Sequence, residues 1–425
     1  MSEKRVDLVV IGGGSAGLVA SHGAGGLGAE VVMVEPNHPG GDCLWHGCVP
    51  SKRLLTAAKV AHTMRTADHH GIKAVEPEID FGAVMQSVKD AQNHIAPHDS
   101  VERLEESGVR VIPAYGKFCG KTSIEADGEV LHFRKAMIAV GAKPSIPPIT
   151  GLRESNPLTS DDVWDLTEAP ARLAVIGGGA IGCELGQALS RLGSKVTLFE
   201  YAPKVMPFLG DNVGDLIAER FRAEGIDVRD GTGVQEVKTN ADGTYTLIAA
   251  KAGTEDSEEF VVDQILSATG RSPNTKDLGL EEAGVELDER GLVIVNDRLQ
   301  TSNPHIFAGG DVVGKKAFTP TPLVHTVRPS SATRSSSCAA RLTTIRSHLR
   351  SSASQRLRAS ARSKPKTETR TSRFTTSTTK RSTAQLPQET RSGLPNCSPS
   401  AASSWAPQWL ATCLLYTSPS PRDRG

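Results

Sequence analysis

Short apolar runs, glycine clusters and single acids recur in a fixed order along this chain. Val6–Val10 is an apolar run that ends in Ile11-Gly12-Gly13-Gly14-Ser15-Ala16-Gly17, and a second run, Val31–Val34, closes on Glu35. The runs have the length of buried strands and the segment between them is long enough for a helix, so the pattern predicts strand, glycine turn, helix and strand. Glycines in such a turn allow a tight bend and let a pyrophosphate approach the helix N-terminus. An acid ending the second strand is placed to accept hydrogen bonds from ribose hydroxyls. The unit returns at Leu173–Ile176, Gly177-Gly178-Gly179-Ala180-Ile181-Gly182, a helix through Leu192, and Val196–Phe199 closing on Glu200. One glycine-rich turn is a weak signal, met also in ordinary α/β domains. Two complete units predict an α/β fold with two Rossmann-like dinucleotide sites. The apolar start also suits a signal peptide, but the acidic close at Glu35 and the second copy argue against one.

Gly41-Asp42-Cys43-Leu44-Trp45-His46-Gly47-Cys48-Val49-Pro50-Ser51-Lys52 follows the first unit. A cysteine pair alone is weak evidence, because paired cysteines also bind zinc, sit free in cores or form inert crosslinks. The flanks say more. Gly47 removes a side chain beside Cys48, and Pro50 suits the first turn of a helix, where a missing N–H costs nothing. Cys48 is therefore placed near a helix N-terminus, whose dipole favours a thiolate. A structural zinc site needs two more ligands in a similar cluster, and Cys119 and Cys183 stand alone, so no metal site is assigned. His69, His70, His94 and His98 are read as surface positions, and His46 as solvent-facing. The first hypothesis is a redox-active disulfide in an electron-transfer enzyme.

These residues resemble the class I pyridine nucleotide-disulfide oxidoreductases, a family that includes dihydrolipoamide dehydrogenase, glutathione reductase and mercuric reductase. Its pattern GGxCxxxGCxPSK is met from Gly40 to Lys52. Further matches are Ala139-Val140-Gly141-Ala142-Lys143-Pro144, Ala268-Thr269-Gly270-Arg271-Ser272-Pro273-Asn274, and Thr301 through Phe307-Ala308-Gly309-Gly310-Asp311. Together they cover residues 1 to about 319. The resemblance implies that Gly12, Gly14, Gly17, Glu35, Lys52, Gly116 and Asp311 hold FAD. It implies that Gly177, Gly179, Ala180, Ile181, Gly182, Glu200, Val234 and Gly270 hold NAD(P). Residues 1–148 with 273–319 would form the FAD-binding domain and 149–272 the NAD(P)-binding domain. Lys52 would lie near the flavin with Glu184 as its charge partner, the plainer alternative being a structural ion pair. Cys48 would be the thiolate closer to the flavin and Cys43 the interchange thiol that attacks substrate. A carboxylate at Glu200 accepts from a free 2′-hydroxyl and repels a 2′-phosphate, which favours NADH over NADPH.

The substrate implied is a small disulfide, as in dihydrolipoamide dehydrogenase, with reduction of a soft metal ion as the alternative. Asp42 stands where the family commonly has Thr, and Trp45-His46 where it has Asn and a small apolar residue. Cysteine usage fits a reducing, cytoplasmic compartment, no membrane span is evident, and the family resemblance implies a homodimer.

Composition changes the picture only when the chain is divided. The formal net charge is zero, yet residues 320–425 hold 17 of the 48 Lys and Arg but 3 of the 48 Asp and Glu. Only 2 of the 41 glycines lie there, and apolar periodicity stops. Such a segment is expected to be disordered. Its basic charge also fits nucleic-acid binding. A third reading is a shifted frame of GC-rich coding DNA, and Cys413–Asp423 resembles a translated sequencing adaptor. The third is preferred, because the tail stands where the family has its C-terminal α+β dimerisation domain; that domain, with its histidine–glutamate acid/base pair, is expected to be missing. Neither His325 nor His348 is assigned that role, and no nucleic-acid partner is expected. A reading of another class follows, a catalytically incomplete dinucleotide-binding fragment.

Overall fold

The computed structural model describes residues 2–316 apart from Gly210 and Glu255. The expectations for residues 320–425, including His325 and His348, lie outside the described residues. β1 (Ser2–Ile11) runs through Gly12–Gly14 into α1 (Ser15–Gly25) and on to β2 (Val31–Val34). Next come α2 (Gly41–Trp45), α3 (Cys48–Arg65), α4 (Phe81–Ile95) and α5 (Val101–Glu106). The strands β3 (Val109–Ile112), β4 (Gly116–Gly120), β5 (Ser123–Ala126) and β6 (Glu129–Ile138) complete the first sheet, in the order β3-β2-β1-β6-β5-β4. β1, β2, β3 and β6 are parallel, and β5 covers only the first half of β6. The second half pairs in parallel with Ile306–Ala308, so a late segment closes the sheet made by the start of the chain. Leu8, Val9, Val10, Val32, Met33 and Val34 are all fully buried, as expected for parallel strands covered on both faces.

A short strand, β7 (Ala142–Pro144), leads out of this layer. The second unit is β8 (Arg172–Ile176), α6 (Ala180–Arg191), β9 (Lys195–Glu200), α7 (Asp211–Ala223) and β10 (Asp227–Asp230). An antiparallel sheet of β11 (Thr232–Thr239), β12 (Tyr245–Lys251) and β13 (Ser257–Val262) follows, and then β14 (Gln264–Ser267) joins β8. The second parallel sheet has the order β10-β9-β8-β14. β15 (Arg271–Pro273) then pairs antiparallel with β7, so the outgoing and returning chain segments are zipped together. One hydrophobic core joins Leu54, Ala58, Met85 and Val88 of α3 and α4 to Val175, Cys183 and Leu185 of the second unit. That shared core fixes α3 against α6. No helix among the described residues is long and apolar enough to cross a membrane.

Both glycine turns have the same internal geometry. Gly12 and Gly177 have φ of +101° and +107°, and a Cβ on either would lie 2.3 and 2.5 Å from the carbonyl oxygens of Ala139 and Ala268. A Cβ on Gly17 or Gly182 would lie 1.9 Å from the carbonyl oxygen of Gly12 or Gly177. The helix can approach its own turn this closely only without a side chain. Gly182→Ala is therefore expected to lower stability by about 1–3 kcal/mol, the usual range for overpacking. An unchanged urea midpoint would show that α6 does not sit against its turn in solution.

Candidate active site

The two nucleotide turns are shaped for a ligand rather than closed on themselves. Gly14 and Gly179 precede α1 and α6 as N-caps that offer no side chain, and neither helix has an acid in its first turn. By contrast, Asp80 caps α4 and Ser100 caps α5. The first N–H groups of α1 and α6 thus lack a capping side chain, the arrangement that receives a pyrophosphate. A Cβ on Gly14 would meet only Gly41 Cα, at 3.9 Å, and one on Gly179 would meet nothing within 4 Å. Each turn is held by the acid at the end of its second strand. Glu35 accepts from the Gly13 N–H (2.6 Å) and the Asn37 N–H (2.8 Å), and Glu200 from those of Gly178 and Ala202 (both 2.7 Å).

A cavity of about 660 Å³ opens over the second turn and is lined by Gly177, Gly179, Ala180, Ile181, Glu200, Val234 and Gly270. Gly182 sits behind this wall, packed on the Gly177 carbonyl. Tyr201 and Phe208, both largely exposed, also line it. Phe208 belongs to none of the sequence motifs; its only signal in the sequence is an aromatic shortly after the acidic strand end.

At the first turn, Gly116 is buried at the start of β4, and Asp311 faces Arg271 with Oδ2 3.6 Å from Nε. Arg271 is a residue whose role the sequence left undefined. Its guanidinium is largely buried, pairs with Asp42, donates to the Ala142 carbonyl and reaches Ser160 Oγ at 3.3 Å. Its Nε is buried without a hydrogen-bond partner. Asp42, the departure from the common Thr, is therefore the ion-pair partner of an arginine on the returning segment. The uncapped helix, the open space at Gly14, the buried Glu35 and the orphaned Arg271 Nε together fit a flavin dinucleotide.

The cysteines lie beside this cradle. Cys43 is in α2, and Cys48 is the first residue of α3, across a turn in which Gly47 N–H donates to the Asp42 carbonyl (2.5 Å). A Cβ on Gly47 would come within 3.0 Å of that oxygen. Both are free thiols in the structure. Hydrogen bonds from Cys48 and then from Ser15, the first residue of α1, outweigh burial and lower the Cys43 thiol to about 6. The same Cys43 contact, followed by burial, raises Cys48. The helix dipole favours a thiolate at Cys48, whereas the contact between the two sulfurs, with Ser15 beside Cys43, favours one at Cys43.

Lys52, one turn into α3, places Nζ 3.1 and 3.3 Å from the two oxygens of Glu184 on α6. Lys52 is exposed, so this pair contributes little to stability by itself. His46 is half-buried rather than solvent-facing: its Nδ1 lies 3.2 Å from the Asp161 carbonyl, and its own carbonyl accepts from Trp164 Nε1 at 3.0 Å. Trp164 is buried, so the redox loop is tied down at its middle. Cys183 is fully buried, which pushes its thiol up to about 12 and leaves it unreactive. Among the described residues, no group of three or more His, Cys, Asp or Glu is placed to hold a metal ion.

The pyridine nucleotide-disulphide oxidoreductase family matches residues 6–337, and the chain belongs to it. A dihydrolipoyl dehydrogenase of Thermus scotoductus is 40% identical over 320 residues, 73% of this chain and 66% of that protein. A mercuric reductase of Staphylococcus aureus is 35% identical over 72% of this chain and 55% of its own length. The chain thus spans from about half to just under two thirds of these relatives. The HOCl-induced flavoprotein disulfide reductase RclA of Escherichia coli, solved as its Cu(II) complex, superposes with a TM-score of 0.65 at 28% identity. It covers 76% of this chain and 70% of its own. The family implies FAD and a nicotinamide dinucleotide as cofactors.

Alkylation of Cys43 in the reduced chain, followed on its own peptide by mass spectrometry, is expected to rise with pH through about 6 and level off near neutrality. Cys48→Ala removes the donor, so the midpoint moves up toward the ordinary thiol value of about 8.5. A wild-type midpoint already there would contradict the shared proton.

Proposed function

We propose that this chain is an FAD-dependent NAD(P)H:disulfide oxidoreductase of the dihydrolipoamide dehydrogenase type, with Cys43 and Cys48 as its redox pair. The observation that carries this reading is the packing of the cysteine segment on the first nucleotide turn, so close that a Cβ on Gly41 would lie 2.5 Å from Gly14 Cα. Gly12, Gly14, Gly17, Glu35, Lys52, Gly116 and Asp311 would hold FAD. The glycine turn at 177–182, with Glu200, Val234 and Gly270, would hold the nicotinamide dinucleotide. Residues 1–148 with 273–319 would be the first domain and 149–272 the second. Bound FAD supplies a two-electron relay between a reduced nicotinamide and a disulfide.

The protein's own part is thiol–disulfide exchange. The Cys43 thiolate attacks one sulfur of a substrate disulfide: a Cys43–sulfur bond forms, the substrate bond breaks, and the departing thiolate takes a proton from solvent. Cys48 loses its proton and attacks Cys43, which re-forms the internal disulfide and releases the second half of the substrate as a thiol. Two electrons have then left the pair. Lys52 is a positioning cation beside it, kept in place by Glu184, and Glu200 favours NADH. A second reading, transfer of the electrons to a soft metal ion held by the same thiolates, is supported by the mercuric reductase relatives.

Anaerobic titration of the flavin-loaded chain with NADH tests this directly. Bleaching of the flavin followed by a long-wavelength thiolate–flavin band is expected, and a chain that retains no flavin refutes the proposal. Cys43→Ser is expected to keep the flavin and NADH reduction but to lose disulfide reduction by about a thousandfold or more. Turnover at the wild-type rate would remove Cys43 from the mechanism. NADH is expected to be preferred over NADPH by about tenfold in kcat/KM, a difference of about 1.4 kcal/mol in transition-state binding. Equal use of the two would show that Glu200 does not discriminate.

A further inference from the structure

The seam between α3 and α6 continues past the redox site. Lys59 lies seven residues beyond Lys52 on α3, and Arg191 seven beyond Glu184 on α6, so both continue the same faces about 10 Å further along. There the helices border a cavity of about 320 Å³ lined by Lys59, His62, His69, His70, Arg191 and Arg220. Neither a carboxylate nor an aliphatic side chain lines it. Thr63 and Thr66 complete the wall, and their hydroxyls donate to the Lys59 and His62 carbonyls at 2.8 and 2.9 Å. The donors free to face a ligand are therefore cationic groups and imidazoles.

Negative charge is scarce around this cavity. Glu224, almost buried behind the wall, receives Arg191 Nε at 2.7 Å and Nη2 at 2.9 Å, and also Arg220 Nε at 2.7 Å. One carboxylate thus serves two guanidinium groups. Arg65 is paired with Glu76 at 2.7 Å, whereas Lys59 has no ion-pair partner among the described residues. His62 reports the resulting field. Its Nε2 accepts from Arg220 Nη2 at 2.9 Å, and burial, then the charges of Arg191, Arg220 and Arg65, hold its pKa below the usual imidazole value against the pull of Glu224. An electropositive hollow without an aliphatic residue in its wall offers little to an acyl chain. It suits a small ion with several charged oxygens, which Arg and Lys bind with short, charge-assisted hydrogen bonds.

We propose that this cavity binds a compact multivalent oxyanion, of the inorganic pyrophosphate or tricarboxylate type, bridging α3, the turn at Ala67–His70, α6 and α7. The ion supplies the negative charge that the junction lacks. Its site is separate from both nucleotide turns, and no step of disulfide exchange passes through it.

The test is calorimetric titration of the full chain, saturated with FAD and NAD⁺ so that both nucleotide turns are filled, with inorganic pyrophosphate and separately with citrate. One site is expected, weakening as salt rises. Lys59→Glu and Arg220→Ala are each expected to weaken it about tenfold or more, the loss typical of one charge-assisted hydrogen bond. Lys117→Glu, a charge change on β4 away from the cavity, is expected to bind as wild type, and circular dichroism checks that each variant is folded. Binding of either anion with these losses supports the site, and the ratio of the two affinities identifies which anion chemistry it prefers. Binding by neither at low salt, or binding indifferent to Lys59 and Arg220, overturns the proposal.

Discussion

The packing of α3 on α6 is the constraint on which the rest of this molecule depends. α3 starts at Cys48, carries Lys52 one turn later and buries Leu54 and Ala58 in a core shared with Val175, Cys183 and Leu185. Because that core is continuous, the helix that starts at Cys48 cannot shift relative to the second nucleotide unit without opening apolar surface to water. The Lys52–Glu184 pair marks the place where this mechanical coupling reaches the chemistry. The polar ends of the seam can serve binding because its apolar middle fixes the geometry.

Electrostatics at the site are local. The neighbouring Cys48 thiol and the Ser15 hydroxyl lower the Cys43 thiol, and no cation contributes to that shift. Such an arrangement suits a thiol that alternates between a disulfide and a dithiol, since under the proposed function the stabilising donor would also be the resolving partner. Asp42 and Arg271 add a second restraint: their ion pair links the redox helix to the segment that returns from the second unit.

Much of the fold was legible in the sequence because its signals were repeated and physically redundant. Two glycine turns, each flanked by apolar runs and closed by an acid, gave both parallel layers, and the residues flanking Cys43 and Cys48 gave the thiol site. Three features were not legible. The spacing could not rank the sulfurs, because the ranking depends on which thiol donates to the other, a property of three-dimensional orientation. His46 looked like filler because its partners, Asp161 and Trp164, lie more than a hundred residues away. The cationic hollow was equally hidden: its members come from α3, a following turn, α6 and α7, and each alone looks like an ordinary surface charge.

The acids that end β2 and β9 have a wider implication for how such a protein can change. Glu35 and Glu200 each anchor a backbone amide of their own glycine turn. Under the proposed function the same acids also receive the ribose, so recognition and scaffold would share one carboxylate. A lineage that drifts toward a phosphorylated nucleotide by replacing such an acid must at the same step find another acceptor for the freed amide. Cofactor preference in this architecture is consequently inherited with the shape of the loop, and a switch calls for coordinated changes rather than a single one.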